Sequence, residues 1–319
     1  MNMKCYQRLF QNFSFEKATL DLMGETGLLT GFPKAIFKTN RVLKIVLQIV
    51  CIVFLLAALG IQGLEAQSQS GNSGNSLKGM SLNGSTGLYS IPTGRIGWER
   101  TRDIGLDLGY HAIITDGQAT HIPKASVSLF KWVEVSAAFD IQPDGYLGND
   151  RGTDFIGGAK IQFPFTKTAI ALGGNFQSLN FLSGDDSGYN AGQVYVAVTY
   201  AGQFFSWPAE TTVVVGKTFG RNSPNWNIDY GMGFDLVLLP NILDRYVHWI
   251  TDFSNFSYSV EAFGADPVYR GVVNTGLRVD LSLIPALSKF KFVIDVLVTD
   301  VFDKTRAFSV GAVFGIPIL

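Results

Sequence analysis

A two-residue alternation of apolar residues with polar residues or glycine constrains this chain more than any other feature. It is clearest from Trp226 to Leu236, where each second residue is large and apolar and the residues between them are Asn, Asp or Gly. Similar stretches begin at Asp103 and at Asn274. Successive side chains of a β-strand point to opposite faces, so the pattern predicts strands with one apolar and one polar face.

Twelve such segments follow one another: about 104–114, 123–130, 132–141, 154–163, 167–177, 193–203, 209–219, 225–238, 247–263, 270–283, 289–299 and 306–318. Most are close to the roughly 9–11 residues that a tilted strand needs to cross a bilayer. The ninth is longer, and we expect it to bend where its apolar phase shifts around Phe253. An even number of such strands predicts an all-β fold, a transmembrane antiparallel up-and-down β-barrel of about 12 strands.

The connections between these segments fall into two classes when they are taken alternately along the chain. The odd-numbered ones include the long polar stretches 142–153 and 178–192, and the even-numbered ones include Lys131 alone, 164–166 and 284–288. Long outer loops alternating with short periplasmic turns are typical of outer-membrane barrels, although 204–208 and 239–246 weaken the contrast. Aromatic residues also gather at strand ends, which suits the headgroup level of a membrane.

A soluble β-sandwich or a lipocalin-like barrel would show the same alternation, with one face of each strand turned to a shared core. Only 16% of the residues are charged, whereas about a quarter are charged in a soluble globular domain. The low charge, the twelve apolar faces and an export signal favour lipid as the surrounding of those faces.

The candidate export signal lies ahead of the strands. Arg41 and Lys44 precede an uncharged run of 20 residues, 45–64, that leads to Ala66 and a polar stretch, which is the order of a secretory signal peptide. Because the run is also long enough to span a bilayer, an uncleaved anchor is the alternative. The predicted organisation is an N-terminal extension and signal peptide over 1–66, a periplasmic tether and lead-in over 67–100, and the barrel over 101–319.

The composition argues against several classes of function, namely nucleic-acid binding, metal or cofactor binding and catalysis. From Gln67 onward acidic residues outnumber basic ones, 22 to 18, and both cysteines, Cys5 and Cys51, lie upstream. A barrel without a basic field is not expected to bind nucleic acid, and we expect neither a metal nor a cofactor. We predict no enzyme, because no serine stands two residues after a histidine, the spacing that would bring both side chains to one strand face in a barrel lipase.

The polar faces supply candidates for the barrel lumen. We expect these side chains to face inward: Asp103, Asp107, His111, Glu134, Asp140, Lys160, Asn175, Asp229, Asp235, Glu261, Arg278, Asp280, Lys291 and Asp295. Acids dominate but bases are interleaved, so the set predicts either a lattice of ion pairs that holds a narrow barrel together or a hydrophilic pore with a weak cation preference. Inward glycines such as Gly109 and Gly231 leave room for a lumen, a plug or strand bending.

A motif precedes the first strand. It consists of Gly84, Gly87, Leu88, Pro92, Thr93 and Arg95. The spacing resembles the opening G-x-x-G-L-x-x-x-P-T-x-R signature of YjbH-like outer-membrane barrels, except that Gly94 stands where that family has Ala. The segments 252–258 and 270–280 resemble later strands of the same group. The resemblance implies an outer-membrane barrel associated with exopolysaccharide production.

The glycines and proline of this motif suit a turn-rich lead-in that folds against or into the barrel mouth. Arg95 would then be available to pair with an inward acid. A plain periplasmic linker is the alternative.

The final segment, 307–319, resembles the terminal strand that barrel-assembly machinery recognises, although Leu319 replaces the usual terminal Phe. The expected partners are therefore outer-membrane lipid, that machinery during biogenesis, and a polysaccharide or small solute. Two functions stay open at this level. The first is a pore or export component of the outer membrane, and the second is a structural or surface-adhesive barrel that transports nothing.

Overall fold

The computed structural model describes residues 79–98, 103–115, 118–142, 152–178, 190–220, 228–255, 271–302 and 306–318. Within them, twelve antiparallel strands form one closed barrel, in which each strand pairs with its neighbours in the chain and β12 pairs with β1. The strands are β1 Ile104–Thr115, β2 Gln118–Leu129, β3 Val133–Ile141, β4 Thr153–Pro164, β5 Thr168–Ser178, β6 Asn190–Phe204, β7 Trp207–Phe219, β8 Asp229–Val237, β9 Val247–Ser254, β10 Val272–Asp280, β11 Lys291–Thr299 and β12 Ala307–Pro317. The predicted fold class is confirmed.

Several predicted strand bounds differ from the observed ones, most of all in β2, β8 and β9. Strand β2 begins at Gln118, five residues before the predicted start at Pro123. Proline has no N–H to donate, and the β2–β3 ladder omits the pairs between His121 and Lys124, yet both flanks still pair and the strand continues. Strands β8 and β9 are shorter than predicted. Residues 225–227 and 256–263 of those predicted segments lie outside the described residues.

The two faces of the barrel wall are opposite in character to those of a soluble protein. Large apolar side chains point away from the barrel and stay exposed, for example Leu172 at 53% and Met232 at 54%. Asp107, Lys160 and Arg278 point inward and are buried. A closed strand ladder leaves no unpaired edge, so such a wall can face hydrocarbon. A soluble sandwich or lipocalin-like core, which would bury the apolar faces, is wrong for this chain.

The connections at the two ends of the barrel differ in length. At one end, here called the short-turn rim, β2–β3, β4–β5 and β6–β7 are joined through 130–132, 165–167 and 205–206. At the other end, the long-loop rim, β3–β4, β5–β6 and β9–β10 are joined through 142–152, 179–189 and 255–271. The alternation fails at 116–117, a two-residue connection at the long-loop rim. It also fails at two longer connections of the short-turn rim, 238–246 and 281–290, the second of which forms two 3-10 turns.

Aromatic side chains mark the short-turn rim. Phe130, Trp132 and Phe165 are exposed there, and Phe205 is 85% exposed at the tip of its turn. Phe205 and Ser206 both have positive φ, the left-handed pair of a two-residue hairpin turn whose twist matches its strands. This belt fits the interface between hydrocarbon and headgroups.

The lead-in occupies the interior of the barrel. Residues 79–98, here called the plug, are buried almost throughout. The plug folds back on itself through isolated bridges between Met80 and Thr86 and between Gly87 and Pro92. The plain-linker alternative is therefore wrong for these residues. Among the residues with described structure, no helix has the length and hydropathy needed to cross a membrane.

Charge placed on the outward face should destabilise the barrel in a way that depends on depth. Leu172→Arg, near the middle of β5, should lower the free energy of unfolding by about 2–4 kcal/mol, whereas a charge close to the interface costs about 0–1 kcal/mol. Phe205→Arg, at the turn tip, is the matched control. Urea titration of the barrel in lipid vesicles, followed by heat-modifiable gel mobility, measures both values. Equal effects of the two variants would contradict a lipid-facing wall.

Candidate functional site

Tight local turns give the plug its compact shape. Gly84 has a φ of +86°, and its Cα lies so close to β3 that a Cβ there would come within 2.7 Å of the Ala137 carbonyl oxygen. The side chains of Ser81, Asn83 and Ser85 bond to one another around this turn. Only glycine tolerates both the positive φ and the close approach. The first glycine of the sequence motif therefore has a local structural reason.

Apolar side chains of the plug pack into three small clusters on the barrel wall. Leu82 and Tyr89 belong to the largest, which lies towards the long-loop rim. Leu88 and Ile91 pack against β6 and β7, and Met80 packs against β11 and β12. The wall members of these clusters are inward residues: Ile113, Ile122, Ala138, Ile156, Ile250, Leu297, Ala307, Tyr195, Ala197, Val214, Val293 and Val313. The plug thus contacts the wall through apolar side chains at three separate places.

Glycines of the wall make room for these plug side chains. A Cβ at Gly109 would lie 2.9 Å from the Met80 sulfur, and one at Gly231 would lie 2.6 Å from Ile91 Cγ2. A Cβ at Gly233 would similarly meet Leu88, and one at Gly105 would meet the Trp98 ring. Of the three roles that the sequence left open for inward glycines, accommodation of a plug accounts for these four positions.

Inward carboxylates accept hydrogen bonds from the plug backbone. Glu134 accepts from the Thr86 N–H at 2.7 Å and from the Gly97 N–H at 2.9 Å. Asp252 accepts from the Tyr89 N–H at 2.9 Å and from the Ser90 N–H at 2.7 Å. The Thr86 and Ser90 hydroxyls bond to the same two carboxylates. An irregular segment at membrane depth needs partners for its N–H groups, and these acids supply them.

Inward cations perform the complementary task for the plug carbonyl groups. The Lys124 ammonium donates to the Met80 and Ser81 carbonyls at 2.9 and 2.8 Å. The Lys160 ammonium donates to the Thr86 and Thr93 carbonyls at 2.7 and 3.2 Å. Arg278 Nη1 donates to the Gly87 carbonyl at 3.3 Å.

The end of the motif is bound by β6 and β7. Arg95 Nε lies 3.1 Å from a carboxylate oxygen of Glu210 on β7, which matches the ion pair expected between Arg95 and an inward acid. The Gly94 N–H donates to the Thr199 hydroxyl at 2.8 Å. A Cβ at Gly94 would collide with the Ala169 carbonyl oxygen. Close backbone approach is thus a physical reason for Gly at the position where the resembling family has Ala.

The wall charges also pair with one another. Arg278 forms a two-pronged ion pair with Asp295, at 2.8 and 2.9 Å, and its Nη1 lies 3.7 Å from Asp235. Asp235 in turn contacts His248 Nδ1 at 2.5 Å. Further pairs join Lys291 to Asp107 at 2.7 Å and Lys160 to Glu134 at 3.3 Å. This arrangement corresponds to the lattice alternative, with the plug backbone as an additional partner.

The structure distributes the predicted lumen residues unequally. Those that face inward within the barrel are Asp107, His111, Glu134, Asp140, Lys160, Asn175, Asp229, Asp235, Arg278, Asp280, Lys291 and Asp295. His111 lies 3.6 Å from Asp295, and Asp280 caps the first 3-10 turn by accepting from the Ser282 N–H. Glu261 lies outside the described residues.

Asp103 is a correction, because it does not line the lumen. It precedes β1 at the short-turn rim, its side chain is 68% exposed, and it lies 3.3 Å from the Lys131 ammonium. The sequence alternation that includes Asp103 continues past the first residue of β1. Outside a strand, odd and even positions no longer point to opposite faces of the sheet.

Several residues that hold the plug were not among the sequence candidates. Gln162 on β4 accepts from the Ile96 N–H at 2.7 Å. Lys124 and Gln162 each lie an even number of residues from other inward residues of their strands, so counting along the strand could have found them. Asp252 falls where the apolar phase of the ninth segment shifts, which hid its direction. No signal in the sequence singles out Thr199. In the part of the chain that the structure describes, no cluster of three or more His, Cys, Asp or Glu side chains could hold a metal ion.

No family model and no curated protein matches the chain. Among solved structures, the chain is similar to the KdgM porin, with 9% identity, a TM-score of 0.43, and coverage of 67% of this chain and 99% of that one. It is also similar to the Acinetobacter baumannii outer membrane protein Omp33 (9% identity, TM-score 0.38, 69% and 100% coverage) and the Pseudomonas putida toluene transporter TodX (8% identity, TM-score 0.35, 75% and 98% coverage). The function must therefore be inferred from this chain's own side chains.

Removal of the Asp252 carboxylate should loosen the plug. Asp252→Ala leaves the Tyr89 and Ser90 N–H groups without an acceptor inside the barrel, at about 1–3 kcal/mol for each group, so we expect a loss of about 2–6 kcal/mol in unfolding free energy. Asp103→Ala is the matched control, because that exposed acid contributes about 0–1 kcal/mol. Denaturant titration in detergent compares the two. A loss at Asp252 no larger than that at Asp103 would contradict the role of Asp252 as a plug anchor.

Proposed function

We propose that this chain is an outer-membrane barrel of a two-membrane bacterium that passes a solute or polymer, and that its lumen is closed in the present state by residues 79–98. The observation that carries the proposal is a hydrophilic lumen occupied by a segment of the same chain. The lipid-facing wall, the aromatic belt and the unequal rims support the location. We assign the long-loop rim to the outside and the short-turn rim to the periplasm.

The chemistry of the contacts supports a releasable plug. Most anchors of the plug are hydrogen bonds and charge contacts to Glu134, Asp252, Lys124 and Lys160. Water can replace each such contact, so the net stabilisation from one is modest. The apolar clusters are small and separate. Departure of such a plug would expose separate apolar patches among charged groups and not one continuous apolar surface.

The wall beneath the plug would suit an aqueous path. Without the plug, inward carboxylates and ammonium groups would border a lumen that glycines such as Gly109, Gly231 and Gly233 keep wide. Rings of charged side chains set the selectivity of such channels, and the excess of acids favours cations weakly. We include no enzymatic activity in the proposal, because the charged groups of the lumen serve to bind the plug and one another.

Only the sequence motif indicates which molecule the barrel would transport. The resemblance to YjbH-like barrels favours a polysaccharide associated with export, and a small solute is the alternative. Insertion through barrel-assembly machinery, cleavage after Ala66 and membership of that family belong to the same proposal.

A reversible staple tests whether passage requires movement of the plug. The Ser90 and Ser254 hydroxyl oxygens are 2.9 Å apart, one on the plug and the other on β9, so paired cysteines there are within reach of a disulfide. The chain would carry Cys5→Ser and Cys51→Ser, so that Ser90→Cys and Ser254→Cys supply the only thiols. In planar bilayers we expect channel openings under reducing conditions, their loss on oxidation, and their return with reductant.

Two controls complete the experiment. Ser90→Cys alone cannot form the staple and should not respond to oxidation. Glu134→Gln combined with Asp252→Asn should increase the open fraction, because neutral amides accept weaker hydrogen bonds than carboxylates. Openings that persist in the oxidised double-cysteine barrel would refute a path through the plugged lumen. Silence in every variant, including the one with weakened anchors, would favour the structural or adhesive barrel.

A further inference from the structure

A continuous row of polar side chains crosses four strands near the long-loop rim. Asn175 on β5 donates to Gln193 on β6 at 3.0 Å, and Gln193 donates to Thr218 on β7 at 3.0 Å and to Asp229 on β8 at 3.1 Å. Thr218 donates to the same Asp229 oxygen at 2.6 Å. Neighbouring strands are about 4.8 Å apart, so the row, here called the amide row, spans about 14 Å of the wall.

The amide row is independent of the plug. Within the described residues, no hydrogen bond joins any of its four members to residues 79–98. Asn175, Gln193 and Thr218 are half-buried and Asp229 is buried, whereas Glu134, Asp252, Lys124 and Lys160, which anchor the plug, are all buried. The row therefore remains accessible from the lumen while the plug is in place.

The amide row also stands apart from the ion lattice. Asp107, Asp235 and Asp295 each contact a basic side chain. Asp229 has no basic partner within the described ranges, and both bonds to its carboxylate come from the neutral groups of Gln193 and Thr218. A carboxylate that is oriented by neutral donors and not neutralised by a cation is available to accept hydrogen bonds from a ligand.

Unused hydrogen-bonding groups lie along the same wall. Asn175 Oδ1 has no hydrogen-bond partner, and Gln177, two residues further along the inward face of β5 and only 9% exposed, has none for its Nε2. A Cβ at Gly158, opposite Asn175 on β4, would collide with Asn175 Oδ1, so only glycine lets the amide lie in this orientation, with its oxygen buried and unpartnered. Buried polar atoms without partners are uncommon, and these point to a ligand with both donors and acceptors.

We propose that the amide row, with Gln177, binds the hydroxyl groups of a neutral saccharide at the long-loop end of the lumen. A hydroxyl group donates one hydrogen bond and accepts two, so successive hydroxyls can donate to Asp229 and Asn175 Oδ1 and accept from the amide N–H groups of Asn175 and Gln177. The Asp229 carboxylate disfavours an acidic saccharide by like-charge repulsion. This inference deepens the proposed function, on which its outward orientation rests.

Calorimetric titration of the purified full-length barrel in detergent tests the proposal, with maltoheptaose as the neutral probe and an oligogalacturonate of similar length as the acidic one. We expect maltoheptaose to bind and the acidic probe to bind more weakly or not at all. Gln193→Ala removes the amide that orients Asn175 and Asp229, so we expect maltoheptaose to bind about two- to twelve-fold more weakly, which corresponds to one hydrogen bond. Asn175→Ala is a second variant with the same expectation, and heat-modifiable mobility verifies that both fold.

Gln203→Ala is the matched control. Gln203 has the same side chain, lies on the same inward face of β6 and sits at the opposite, short-turn end, so its loss should leave binding unchanged. Absence of maltoheptaose binding, equal loss in the Gln193 and Gln203 variants, or preference for the acidic probe would each overturn the proposal. Binding should also persist in the oxidised Ser90→Cys/Ser254→Cys barrel, because the row does not depend on the plug. Saccharide binding without conductance would leave the amide row standing while the transport proposal fails.

Discussion

Backbone polar groups that cannot reach water must find partners within the protein, and this constraint governs both surfaces of the barrel. Towards lipid, closure of the ladder between β1 and β12 pairs the strand backbones and leaves no edge. Towards the lumen, the same requirement falls on the irregular backbone of the plug. Glu134 and Asp252 accept from its N–H groups, and Lys124 and Lys160 donate to its carbonyls. The inward charges are thus needed by a segment whose backbone lies outside the strand ladder.

Desolvated charges are costly unless they are paired and hydrogen-bonded, and two cations of the lumen meet both conditions at once. Lys160 contacts Glu134 as well as two plug carbonyls, and Arg278 contacts Asp295 as well as one. Each ion therefore satisfies a counterion and a backbone group. When the plug leaves, the ion pairs of the wall stay in place. A closely fitted plug can therefore still be released.

The amide row shows that the wall is not uniform along the barrel axis. Around the plug the inward groups are charged and engaged, whereas near the long-loop rim they are mainly neutral and only partly engaged. In such a channel, neutral groups at the entrance would bind the solute, and the plug, held by charged residues, would control its passage through the centre. The two proposals accordingly concern different residues.

Much of the fold could be predicted because it depends on a local rule. Side chains alternate with every residue in a strand, so the pattern around Trp226 and Met232 predicted the strand number and which face meets lipid. The rule lost accuracy where it has no physical basis, as at Asp103 beyond the strand end, at Pro123 inside β2, and at Asp252, where the apolar phase shifts. For the candidate site, the two-residue alternation predicted which charged side chains face inward but not which groups they contact.

By itself, the sequence determined the closed all-β class, the polar interior and a turn-rich lead-in with an arginine suited to an inward acid, because these follow from short-range periodicity and from the conformations that glycine and proline allow. Only the tertiary structure decided that Arg95 meets Glu210, that Met80 and Ile91 lie over Gly109 and Gly231, and that the lead-in fills the lumen. Those contacts join residues far apart in the chain, and their positions depend on closure of the whole barrel around the segment.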